Sequence, residues 1–230
     1  MIDFIILIIL TLFILFLIFK FIKKIVYLIL SVIVLFLLFS SIFTFLLVLD
    51  IGSLQKNIRG ENNVILLSDG FNFLSGAYTK FDNESINLEN ANIISNVKQL
   101  DNQDYSKILN GNYKLFIIYT IFLEDNLDQE VSYNGYQLTK NQVLNLLISQ
   151  DPISEFSNTF NTQKEDIKLN DYEFKFTIFT STINQIIKDQ GLGVILKGYK
   201  NNQIVIYKET MFFKVIKFLP SKYLNNYITN

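Results

Sequence analysis

The chain has no cysteine, no histidine and no tryptophan, and its only prolines are Pro152 and Pro220. Without cysteine there is no disulfide, no thiol nucleophile and no thiolate-held metal. Without histidine the usual zinc ligand and the usual general base near neutral pH are missing. A surplus of either charge is missing as well: 20 basic residues face 21 acidic ones, for a net charge of −1. No overall field therefore draws the protein to nucleic acid. The lack of cysteine does not select a compartment, since many exported domains lack disulfides. Asn, Ile, Lys, Phe and Tyr are abundant, and the Asn residues are scattered among apolar positions. That pattern reads as codon bias from an AT-rich genome rather than as an aggregation-prone polar tract.

What is present is concentrated at one end. Half of the residues are hydrophobic, and the excess lies between Ile2 and Leu49, where the only charges are Asp3, Lys20, Lys23 and Lys24. Ile25–Leu49 carries no charge and as a helix would be roughly 37 Å long, enough to cross ~30 Å of hydrocarbon with some tilt. Phe4–Phe19 is shorter, but Lys20 can snorkel and let Phe21 and Ile22 extend it. One helix over the whole block would run roughly 70 Å, too long to cross once. The sequence therefore predicts a transmembrane helical hairpin with spans at about 2–22 and 25–49, turning at Lys20–Lys24. The first span does not read as a signal peptide, because it has Asp3 in place of a basic start and no Ala-x-Ala site. Lys20, Lys23 and Lys24 determine the topology: they are expected on the cytoplasmic side, with both termini and residues 51–230 extracytoplasmic. The spans hold no interior charge of the kind ion paths need. Their polar residues, Thr11, Ser31, Ser40, Ser41 and Thr44, are suited to contact another helix.

Residues 51–230 read as one soluble α+β domain with a mainly antiparallel or mixed sheet and packed helices. Val64–Ser68 and Phe71–Tyr78 should be strands joined at Asp69-Gly70. Ile93, Ile94, Val97 and Leu100 have helical spacing. Asp104 should cap a short helix that stops at Gly111. Leu115–Leu123 reads as a central strand. Thr139-x-x-Gln142 is a capping box, and Asp151-Pro152 opens another helix. The alternation of Tyr172, Phe174, Phe176 and Ile178 predicts a half-buried strand. Thr182-x-x-Gln185 should then start a helix ending at Gly191, with Leu192 touching Ile187. Leu192–Tyr199 and Gln203–Tyr207 should pair about Asn201-Asn202, and Met211–Leu219 should be a helix ended by Pro220.

No stretch carries a strong chemical signature. Glu124, Asp125, Asp128 and Glu130 lack the calcium-loop pattern and read as a solvated turn. Ser68-Asp69-Gly70 has no histidine to complete a triad. Ser75 and Lys80 could form a Ser–Lys pair only if the fold brought them together. Gly191-Leu192-Gly193 lacks the third glycine of a phosphate loop, and Asn83-Glu84-Ser85 is a lone glycosylation sequon. Near the C-terminus, Lys197, Lys200, Lys208, Lys214, Lys217 and Lys222 face a single acid, Glu209. Phe212, Phe213, Lys214, Lys217 and Phe218 are candidate membrane-interface contacts, although a terminal helix packed on the core is the plainer reading.

The sequence thus predicts an integral membrane protein of the cell membrane. Its partners are the lipid bilayer and a membrane or envelope component, with no nucleic acid, cofactor or metal expected. A non-catalytic binding or structural role is expected. The alternatives are a membrane-complex subunit docking through its hairpin, and an exported hydrolase using carboxylates or a Ser–Lys pair.

Overall fold

The computed structural model describes residues 2–82, 85–86, 91–95, 97, 100, 104–128, 130–191 and 193–220. It divides into two compact units, Met1–Leu49 and Asp50–Asn230.

Helix α1 runs Ile2–Gly60 without interruption. One long apolar helix stands where two spans were expected, and Lys20–Lys24 is helical. The reason lies in the residues themselves. Lys-Phe-Ile-Lys-Lys contains no Gly, Pro or Asn, and nothing in it breaks the backbone ladder. Every residue from Leu10 to Leu46 is exposed. The Ser41 hydroxyl donates to the Leu37 carbonyl at 2.8 Å and that of Thr44 to the Ser40 carbonyl at 2.9 Å. Both donors are thus used within their own helix. Among the described residues, α1 is long and apolar enough to cross a membrane.

The second unit begins with the last turns of α1, where Leu54 is buried and Ile58 packs on the core. The chain then forms β1 (Asn63–Ser68), β2 (Phe73–Thr79), the short pair β3 (Phe81–Asp82) and β4 (Ser85–Ile86), and β5 (Asn92–Ile93). Next come α2 (Tyr105–Leu109), β6 (Leu115–Tyr119), α3 (Thr120–Asn126) and the hairpin β7 (Val131–Tyr133) and β8 (Tyr136–Leu138). The chain ends with α4 (Lys140–Ile148), α5 (Pro152–Phe160), α6 (Asp171–Gln190), α7 (Gly193–Lys200), β9 (Ile204–Tyr207) and α8 (Met211–Phe218). The main sheet has the order β5-β2-β1-β6-β9. Strands β1 and β6 are parallel, and the other neighbours are antiparallel. The fold is α+β with a mixed sheet and packed helices.

Alternation along the strands separates two cores. Ile65, Leu67, Phe116, Ile118, Ile204 and Ile206 face the larger one, with Phe174, Phe176 and Phe179 of α6. Val64, Leu66, Leu115 and Ile117 face a smaller one, with Ile108 and Leu109 of α2. Central strands covered on both faces are apolar at every position, which is why β1 and β6 lack polar alternation. Backbone approach is close at Gly76, where an added Cβ would lie 2.9 Å from the Ile65 carbonyl oxygen.

Several local expectations hold. Asp104 accepts from the Lys107 amide, the Thr139–Gln142 capping box is formed, and Asp151 caps α5 with Pro152 in the first turn. Others are corrected. The Asp69-Gly70 turn is a wider loop, since the register shifts by a bulge at Leu67/Ser68, Ser68 then pairs with Phe73, and Asp69 N–H donates to the Asn72 carbonyl. Ile93 belongs to edge strand β5 rather than to a helix. Leu115–Leu123 divides into β6 and α3. The alternating segment Tyr172–Ile178 is the first half of α6, started by a capping box of Asn170 and Glu173. Thr182 is therefore interior to that helix, and its hydroxyl donates to the Ile178 carbonyl. Gly191 does end the helix, with φ of 76°, but the Leu192 contact lies outside the described residues. The expected strand before β9 is helix α7. Its Gly198 sits so near the Phe122 ring that an added Cβ would lie 2.6 Å away.

Candidate functional site

The most specific arrangement joins the two ends of the second unit. Helix α8 has Thr210 at its N-cap position, a residue type suited to capping, yet that hydroxyl makes no hydrogen bond. The first turn is held instead by Asp50, whose Oδ2 accepts the Phe212 N–H at 2.7 Å across 162 positions. Negative charge at this end also complements the helix dipole. Asp50 immediately follows Leu49, the last residue of the apolar run. Behind it, Lys114 is 3% exposed, and its ammonium donates to the Lys208 carbonyl. Burial pushes the Lys114 ammonium below its ordinary value, and the nearby Asp50 charge opposes that shift.

The inward side of α8 is fixed by rings and by one ion pair. Phe213 meets the Tyr199 ring edge-on at 5.4 Å. The Tyr199 hydroxyl donates to Glu209 Oε1 at 2.7 Å, and Lys217 bonds the same oxygen at 2.7 Å. The Lys217 ammonium lies 4.6 Å from the Tyr199 ring centre. Burial, followed by the negative Glu209 partner, pushes the Tyr199 phenol up to about 12. Hydrogen bonds from Lys217 and Tyr199 hold the Glu209 carboxyl below the usual glutamate range. At the far end of α8, Lys200 donates to the Leu219 carbonyl.

These contacts sort the expected interface residues. Phe213 is 3% exposed and belongs to the core, because it falls on the same helix face as Ile216. Phe212 is half-buried, Lys214 and Lys217 are exposed, and Phe218 is 87% exposed. Lys20, Lys23 and Lys24 project from α1 as exposed residues, and Lys23 lies 5.8 Å from the Tyr27 ring centre.

A second feature is a cleft of about 210 Å³ lined by Tyr133, Tyr136, Phe156, Thr162, Asp166 and Lys168, among others. The Tyr133–Phe156 and Tyr136–Phe156 ring pairs meet nearly perpendicularly, at 87° and 86°. The volume is below the ~300 Å³ from which typical ligand pockets start.

The remaining candidates are structural in this fold. The Ser68 hydroxyl donates to the Asn72 carbonyl and accepts the Gly70 N–H, while Asp69 accepts the Phe71 and Asn72 amides. That is a turn network. Ser75 is buried and donates to the Tyr172 carbonyl at 2.9 Å, whereas Lys80 is exposed. Glu124 and Asp125 lie on α3, and Asp125 accepts a hydrogen bond from Gln203. Among the described residues no acidic group converges into a set able to hold a metal. Asn83 and Glu84 of the sequon lie outside the described residues.

The Asp50–α8 contact was not legible in the sequence, since a cap and its helix 162 positions apart share no local pattern. No protein-family model matches the chain, and no curated protein or solved structure is significantly similar to it.

Proposed function

We propose that the chain is an integral membrane module whose α+β domain stands outside the cytoplasm and has a non-catalytic role, binding a protein partner or an envelope component. The observation that carries this reading is the surface of α1, exposed at every residue from Leu10 to Leu46. Monomeric soluble proteins rarely expose contiguous apolar patches above a few hundred Å², and lipid is the natural cover for one encircling a helix. The apolar run is about 72 Å long as a single rod, against ~30 Å of hydrocarbon. Two crossings fit that thickness where one does not. The lysine cluster at 20, 23 and 24 is where charge can sit among headgroups, giving two crossings with the lysines on the cytoplasmic side. The non-catalytic part of the reading draws support from the cleft, where Asp166 is the only lining carboxylate among the described residues. Hydrolysis by paired carboxylates needs two.

The cysteine-free chain makes the test direct, because a single introduced cysteine is a unique label. Asn158 is exposed on α5 and suits the domain position. An impermeant maleimide applied to intact cells is expected to label Asn158→Cys and Asp3→Cys, and to label Phe21→Cys only after lysis. Labelling of Asn158→Cys without Asp3→Cys would mean a single crossing. Labelling of Asn158→Cys only after lysis would put the domain in the cytoplasm.

A further inference from the structure

We infer that α8 is a second membrane contact, a short interfacial helix that lays its outer face on an anionic bilayer beside the point where the chain leaves the apolar helix. This rests on the membrane reading of α1 and adds a lipid-binding element within the folded domain. Three observations carry it.

The first is that α8 is apolar on two faces. Phe213 and Ile216 point into the core. Met211, Val215 and Phe218 recur at i, i+4 and i+7 and form one stripe on the opposite side. Phe218 at its end is 87% exposed, while Met211 and Val215 are half-buried. A helix that served only to close the core would need one apolar face. The second is charge. Lys214 borders the outer stripe and is exposed, Lys217 is exposed between that stripe and the inward face, and Lys197 and Lys208 are also exposed on the segments leading to it. Glu209 is hydrogen-bonded by Lys217 and Tyr199, and Lys214 adds a second, exposed cation near it on the Phe218 side of the helix. Aromatic and aliphatic residues with lysines at their edge are the composition of helices lying in the headgroup region. The third is position. The Asp50 carboxylate holds the first turn of α8 through the Phe212 N–H, and Asp50 is covalently next to Leu49, where the apolar run stops. Chain connectivity thus keeps α8 within one hydrogen bond of the residue that exits the bilayer.

The chain has no tryptophan, so single substitutions give unique depth probes in the full-length protein reconstituted into vesicles. Phe218→Trp reports on α8. Leu38→Trp reports on the apolar helix. Phe71→Trp, in the exposed loop between β1 and β2 and outside α8, is the control. In phosphatidylglycerol-containing vesicles with brominated acyl chains, Leu38→Trp and Phe218→Trp are expected to be quenched and blue-shifted, and Phe71→Trp to be unaffected. Phe218→Trp should lose that quenching in phosphatidylcholine alone, or when Lys214→Glu is added. Quenching of Leu38→Trp without Phe218→Trp overturns the inference and leaves the anchor standing. Unquenched Leu38→Trp overturns both. Equal quenching of Phe218→Trp and Phe71→Trp, or indifference to anionic lipid, also overturns the inference.

Discussion

Single side chains hold this fold together at places where the backbone changes direction. Asn63 is the clearest. It is fully buried, and its amide donates to the carbonyls of Ile58 at 2.9 Å and Glu61 at 3.1 Å, closing the end of α1 where the chain enters β1. Asn63→Ala leaves those carbonyls without their partner and is expected to cost about 1–3 kcal/mol in chemical denaturation. A loss under a few tenths would show that the end of α1 is held by something else. Glu209 makes a pH-dependent contribution. Its carboxyl is held low in the folded state by Lys217 and Tyr199. The stabilisation is therefore complete above the ordinary glutamate value of about 4.3 and is lost as pH falls through the lower folded value. Glu209 is partly exposed, so the effect should stay below about 1 kcal/mol. Thermal midpoints of the native chain and Glu209→Gln should differ at neutral pH and converge in acid. A constant difference would mean that the ion pair does not contribute.

Elements were legible in the sequence where the information is local, and illegible where it is not. The capping boxes and proline starts of α4 and α5 can be read from four residues each, and both helices begin where those residues place them. The opposite case is α6. Phe174, Phe176, Phe179 and Ile183 are all buried because β2, α4, α5 and α7 surround the helix on several sides. A helix apolar around most of its circumference also satisfies a two-residue alternation, so the strand signal at Tyr172–Ile178 was genuine but not diagnostic. The Asn170–Glu173 capping box was the local clue that pointed to helix. Asn170→Ala is expected to cost about 1 kcal/mol, and Phe174→Ala about 3–5 kcal/mol because it removes a fully buried ring packed edge-on against Tyr133 and Phe156. If the two substitutions cost the same, the packing account of α6 fails. The split of the Leu115–Leu123 run has a similar origin. Phe122 and Leu123 are core residues of a helix on one side of the sheet rather than positions in the strand. Gly198 lets α7 approach Phe122 closely, and Gly198→Ala should cost about 1–3 kcal/mol through overpacking.

The chain joins a buried α+β core to a helix that, among the described residues, is exposed at every position from Leu10 to Leu46. The domain's class was readable from its mix of hairpin and capping signals. The continuity of α1 through Lys20–Lys24 was not, because the hairpin expectation came from bilayer thickness rather than from any turn-forming residue. In the proposed reading the bilayer covers the exposed surface of α1. Alkaline carbonate extraction of membranes from cells expressing the full-length chain distinguishes a lipid-embedded helix from a peripheral one. The protein should remain with the membrane pellet through the wash and be released only by detergent. Its recovery in the carbonate supernatant would show that the apolar helix is not in lipid.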